Sequence, residues 1–161
     1  MSKIAVRIIS GGQTGVDRAA LDFAVRRGLD YGGWCPRGGW AEDFPQPPGV
    51  LRHYPRLAPT PSADPKQRTL WNVRDSDATL IIGRTPCISE GSAFTLSCAA
   101  ALGKPHLVVD LCSPNAARAA KAWIGGARPE TLNIAGPRES ESLGIYAVVT
   151  TFLENLINMS K

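Results

Sequence analysis

The chain has 161 residues, 43% hydrophobic and 20% charged, a globular composition that argues against a disordered or fibrous chain and is long enough for one sizeable core. No apolar stretch reaches the roughly 18 residues that span a bilayer, and the N-terminus lacks the apolar segment and cleavage site of a signal peptide, so a cytoplasmic protein with no membrane partner is expected. The net charge of +4 arises from 18 basic and 14 acidic residues, scattered rather than clustered, which favours a small anionic ligand over nucleic acid.

The first predicted element is a β-branched strand from Lys3 to Ser10. Gly11, Gly12, Gln13, Thr14 and Gly15 follow at once, and a helix is expected over about Gly15 to Arg27, with Arg18, Asp22 and Arg26 as a charged stripe. Gly28 marks its end. Tyr31 to Cys35 reads as a short second strand. Residues 36 to 65 hold eight of the 13 prolines, which excludes regular helix and disfavours interior strand. So long a stretch predicts a functional loop, or an arm that packs on another subunit, over about residues 36–66.

Regular structure then resumes. Gln67 to Arg74 suits a short helix, Ala78 to Ile82 an apolar strand, Gly91 to Leu102 a helix, and His106 to Leu111 a strand. Ser113-Pro114 reads as the start of a helix that stops at Gly125-Gly126. Thr131 to Ala135 is a strand, and the last helix is expected from near Ser140. Strands alternating with helices, and a strand such as ATLII that is apolar on both faces, predict an α/β Rossmann-like three-layer sandwich: a mostly parallel sheet with helices on both faces in a single domain.

Three loops have the position and composition of anion sites, because each joins a strand end to a helix start, where backbone N–H groups and the helix dipole favour negative charge. The first is Gly11-Gly12-Gln13-Thr14-Gly15 with Asp17; the competing reading is a capping box of Thr14 and Asp17. The second runs from Gly83, Arg84 and Thr85 to Ser89, Glu90, Gly91 and Ser92, where Ser89 or Ser92 alternatively serves only as a helix cap. The third is Asn133 to Ser140, with Gly136 and Arg138. In a parallel sheet all three emerge at one edge. Arg37 and Gly38, at the start of the Pro-rich stretch, add a further cation; Trp34 and Trp40 offer rings for stacking, and Glu42 and Asp43 offer carboxylates for a hydroxyl or a metal. Arg68, Asn72, Arg74, Asp75 and Asp77 read as helix surface or caps.

No catalytic or metal constellation emerges. His53 and His106 are the only histidines, and Cys35, Cys87, Cys98 and Cys112 lack metal-ligand spacing and read as buried free thiols. The expectation is a binding protein rather than an enzyme, with a phosphoribohydrolase-like nucleotide N-glycosidase as the alternative and a nucleic-acid-binding module after that.

The segments GGQTGVDRAALD, GWCPRGGWAED, QRTLWNVRDSDATLII, GKPHLVVDL and LNIAGPRES resemble the molybdenum-carrier family (molybdenum cofactor carrier-like), part of the Rossmann-like superfamily with the lonely-guy/lysine-decarboxylase-like and DNA-processing protein A domains. The resemblance covers nearly the whole chain. It implies a Rossmann-like fold, a dimer or tetramer, and a carrier role for molybdenum cofactor or a nucleotide-like ligand. The family's usual Gly-Gly-Thr is here Glu90-Gly91-Ser92; Gly is usual where Phe44 stands and a basic residue where Gly39 stands. Aligning the phosphoribohydrolases' G-G-x-G-T-x-x-E loop on Gly91-Ser92 puts Thr95 where their catalytic Glu stands, so the resemblance implies holding a ligand rather than cutting it.

Overall fold

A computed structural model describes residues 6–84 and 88–158. The expected strand residues Lys3 to Ala5, and Thr85 and Cys87 of the second candidate loop, lie outside the described residues. Among these, the strands are β1 (Arg7–Ile9), β2 (Tyr31–Gly32), β3 (Trp34–Cys35), β4 (Ala58–Pro59), β5 (Ala78–Gly83), β6 (His106–Asp110) and β7 (Thr131–Ala135). The helices are α1 (Val16–Arg27), α2 (Pro65–Arg74), α3 (Glu90–Ala101), α4 (Ala116–Ala127) and α5 (Ile145–Asn158).

Five strands form one parallel sheet in the order β2-β1-β7-β5-β6. The chain leaves β1 through α1 towards one edge and leaves β5 through α3 towards the other. Right-handed crossovers therefore put α1 and α3 on opposite faces. α1, α4 and α5 pack together on one face, α2 and α3 on the other, so the sheet is covered on both sides as its apolar β5 requires. The main core joins Val16, Leu21, Leu80, Ile82, Ile134, Ile145 and Val149, whereas the α2–α3 side has only a small cluster of Val73, Cys98 and Ala99 with Phe94. The Rossmann-like α/β sandwich is the fold expected from the sequence.

Several boundaries differ from expectation, each for a local reason. The strand expected over Tyr31 to Cys35 is broken at Gly33 (φ 128°): β2 joins the main sheet, while β3 leaves it to pair with β4. α2 starts at Pro65, with the Asp64 carboxylate accepting from Lys66 N at 3.0 Å. Pro65 is thus the first helical residue, where its missing N–H costs nothing, rather than part of the loop. α4 begins three residues after Ser113, because Ser113 to Ala116 close a turn (Ala116 N to Ser113 O, 3.2 Å), and it runs through both glycines to Ala127, with Arg128 as its left-handed cap. α5 begins at Ile145, not near Ser140, because the Glu139 carboxylate takes up the Gly144 and Tyr146 N–H groups at its head. Cys35 and Cys98 are buried, but Cys112 is exposed.

The Pro-rich stretch folds back on this chain. Two short 3-10 turns (Arg37–Gly39 and Gly49–Arg52) and β4 carry Ala41, Val50, Tyr54 and Leu57 into the main core. The charged stripe on α1 is where it docks. Arg18 makes a two-pronged ion pair with Asp43 (2.8 and 2.9 Å), and Asp22 accepts from the hydroxyls of Tyr54 and, on α5, Tyr146.

Candidate functional site

The carboxyl ends of β1, β7 and β5 lie side by side at the point where the connections diverge, the usual crevice of an open α/β sheet. A cavity of about 50 Å³ opens there. Gly11, Gln13 and Asp17 of the first loop, Ala135 and Gly136 of the third, and Gly91 at the head of α3 all line it. Asn133 on β7, Thr95 on α3, and Arg68, Thr69 and Asn72 on α2 complete the wall.

Its strongest interaction is a buried ion pair. Asp17, 3% exposed, accepts from Arg68 Nη1 at 2.9 Å and from Gln13 N at 3.3 Å. Burial pushes the Asp17 carboxyl above its ordinary value, with Arg68 pulling against it. The Arg68 guanidinium lies against the backbone of Gly11, where any Cβ would collide with it. Arg68 Nε is buried and has no hydrogen-bond partner. The cavity wall therefore carries one cation with unused donor capacity.

The glycines differ in what they do. Gly15 has φ 77°, and a Cβ there would strike Pro137 O; a Cβ on Gly136 would strike Ile82 O. Gly15 lets the first and third loops touch, and Gly136 lets the third loop pack on β5 and the head of α1. Gly12 (φ 80°) faces Val50 and Leu57 of the Pro-rich stretch, whereas Gly83 and Gly91 have open space around them. The capping-box alternative is not what forms. The α1 N-cap is Gly15 with no side-chain cap; Asp17 turns to Gln13 N and Arg68, and the Thr14 hydroxyl to Glu42.

Ser89 caps α3, its hydroxyl accepting from Ser92 N at 3.1 Å. The Glu90 and Gly91 N–H groups then stand ahead of the intrahelical ladder. Thr95 is 3% exposed, and its hydroxyl donates to Gly91 O at 2.8 Å. Glu90 is exposed and outside the cavity lining.

The three arginines favoured by the sequence are elsewhere. Arg37 is exposed, and with Gly38 it sits in the first 3-10 turn beside Pro47. Arg84 donates to Ser142 Oγ (2.7 Å) and Leu143 O (2.6 Å). Arg138 lies between Glu141 (3.3 Å) and Glu42 (3.9 Å). Trp34 packs edge-on against Trp71 and donates to Asp75, so its ring is engaged. His53 stacks on Phe44, and His106 Nδ1 lies 2.9 Å from Lys104 O. Among the described residues no His, Cys, Asp and Glu cluster could hold a metal ion.

Beside the cavity, Glu42 clasps three segments. Its carboxylate takes the hydroxyls of Thr14 and Ser140 and the Ser140 N–H, while Gln13 Oε1 accepts from Glu42 N (2.9 Å) and Thr14 N (3.0 Å). Burial alone would raise the Glu42 carboxyl, but the bonds from Ser140 and Thr14, and Arg138 beyond them, hold it below the ordinary 4.5. A carboxylate lowered in the folded state stabilises above its unfolded value and stops doing so as pH falls through the folded value. The urea midpoint of the wild type should therefore exceed that of Glu42→Gln at neutral pH, with the gap closing as pH falls below 4.5 and through the lowered folded value. A gap that stays constant across that range would contradict the clasp.

The model of the circularly permutated YpsA SLOG family matches residues 8–157. The crystal structure of a "putative molybdenum carrier protein" from Syntrophus aciditrophicus SB is similar at 41% identity and a TM-score of 0.87, covering 95% of this chain and 96% of that one. No curated protein matches the sequence. No helix of the described residues is long and apolar enough to cross a membrane.

Proposed function

The chain belongs to the circularly permutated YpsA SLOG family, and on that premise we propose that it is a binding protein that carries an anionic, phosphate-bearing ligand of molybdenum-cofactor or nucleotide type. The observation that supports this best is the cavity itself. Arg68, the head of α3 and the backbones of Gly11 and Gly136 meet at the ends of three parallel strands. A phosphate there would meet the Arg68 guanidinium, which lines the cavity, and the N–H groups of a helix start. The enclosed space suits a phosphate-sized group, so an attached ring system has to lie outside it.

Holding is better supported than cutting. Among the described residues of the cavity lining the only carboxylate is Asp17, which is ion-paired with Arg68. Thr95, at the position of the phosphoribohydrolase Glu by resemblance, brings a hydroxyl with no general acid–base range at neutral pH. A thermal-shift panel of inorganic phosphate, nucleoside monophosphates and molybdopterin tests the reading. A ligand at a hundred times its Kd should stabilise the protein by about 2.7 kcal/mol; no shift with any of them would contradict it, and free base released from the nucleotides would replace carriage with hydrolysis.

Gly91 offers a sharper test, because nothing crowds a Cβ there. Gly91→Ala should keep or raise thermal stability, by up to about 1 kcal/mol from helix propensity. It should still weaken phosphate binding, because the methyl group sits where a ligand approaches the backbone. Unchanged affinity would remove the head of α3 from the site.

A further inference from the structure

Glu42 occupies a cradle of anion donors that the cavity does not use. Besides the Thr14 hydroxyl, its carboxylate accepts from Ser140 Oγ at 2.6 Å and Ser140 N at 3.3 Å, with Arg138 Nε 3.9 Å away. Two hydroxyls, a backbone amide and a guanidinium make a donor set suited to phosphate oxygens. The donors belong to the first and third strand-end loops, whereas Glu42 is brought by the Pro-rich stretch and is only loosely paired with Arg138. The Arg138 side chain is 42% exposed and that of Glu42 23%, so a dissolved anion can reach both. Gln13 places this cradle next to the cavity, which it lines while its Oε1 accepts from Glu42 N.

We propose that Thr14, Ser140 and Arg138 form a second anion subsite, which Glu42 fills in the free protein and which one phosphate of a diphosphate-bearing ligand takes over on binding. The proposal rests on the cavity being the site of the other phosphate. Displacement of Glu42 then releases one of the ties between the Pro-rich stretch and the first loop, while the Arg18–Asp43 pair keeps the stretch seated.

Calorimetric titration of the full chain with inorganic phosphate and with inorganic pyrophosphate tests this. Glu42→Ala should raise the ratio of pyrophosphate to phosphate affinity, roughly tenfold if Glu42 masks the subsite for about nine-tenths of the time. Glu42→Gln, which keeps the side chain's size, should move the ratio in the same direction should the alanine variant fold poorly. Thr14→Val combined with Ser140→Ala, added to Glu42→Ala, should cancel that rise in the ratio. A ratio that is unchanged or lowered in both Glu42 variants overturns the subsite. If phosphate binding persists and depends on Arg68 in that case, the cavity reading stands without it. If neither anion binds any form, both fall together.

Discussion

Arg68→Ala should weaken phosphate binding roughly tenfold to a hundredfold, the range for losing one charge-assisted hydrogen bond, and should also destabilise the fold by about 3–5 kcal/mol. The two effects share a cause. Arg68 is the cation of the cavity and the partner of Asp17, which is 3% exposed. Without it a carboxylate stays buried with only the Gln13 N–H to accept from. Burial already holds the Asp17 carboxyl above 3.8, and loss of Arg68 raises it further. A raised carboxyl takes up its proton more readily in the folded state, so its stabilising effect is full below the unfolded value and is lost as pH rises through the folded value. The deficit of Arg68→Ala, read by urea denaturation, should accordingly be smaller in acid than at pH 8. Asp17→Asn combined with Arg68→Met should restore stability without restoring binding. Wild-type phosphate affinity in Arg68→Ala would remove the cavity's cation from the account.

Gly15→Ala should cost about 1–3 kcal/mol for a positive-φ backbone outside the left-handed helical region (φ 77°, ψ −126°) and about 1–3 kcal/mol more for overpacking. Its φ is 77°, and the new methyl group meets Pro137 O and the backbone of Arg138 and Glu139. Gly136→Ala meets Ile82 O and Val16, and should be comparably damaging without the φ strain. Gly83→Ala, with open space and no positive φ, serves as the control and should stay within about 0.5 kcal/mol. Thermal melts of the three variants decide the matter. A benign Gly15→Ala would mean that the first and third loops do not touch as described. Glycines in a strand-end loop thus do not all face a ligand: Gly15 brings two loops together and Gly136 seats its loop on β5 and α1, whereas Gly91 leaves its space open.

The fold was legible because its signals are local. ATLII is apolar on both faces, and the strand–helix alternation dictates a covered parallel sheet. The meeting of the first and third loops with the head of α3 follows from that topology. The α2 wall was not legible. Arg68 and Asn72 sit on a short polar helix whose pattern resembles any solvated surface, and the residue that orients Arg68, Asp17, is 51 positions away. Asn72 is held by both backbone polar groups of Trp34, accepting from its N–H and donating to its C=O, a pairing no spacing rule announces. Arg84 and Arg138 have the right composition and loop position, but both are drawn to the β7–α5 connection by Ser142, Leu143 and Glu141. The helix start expected near Ser140 is displaced because Glu139, with its longer side chain, reaches the N–H groups at the true head of α5.

An amide-resolved NMR titration of the protein with inorganic phosphate tests the cavity directly. The N–H signals of Gly11, Gly91 and Gly136, from three separate segments, should shift together and saturate with one dissociation constant, while those of Arg37 and Gly38 stay still. Shifts at Arg37 and Gly38 with Gly11, Gly91 and Gly136 unmoved would contradict it.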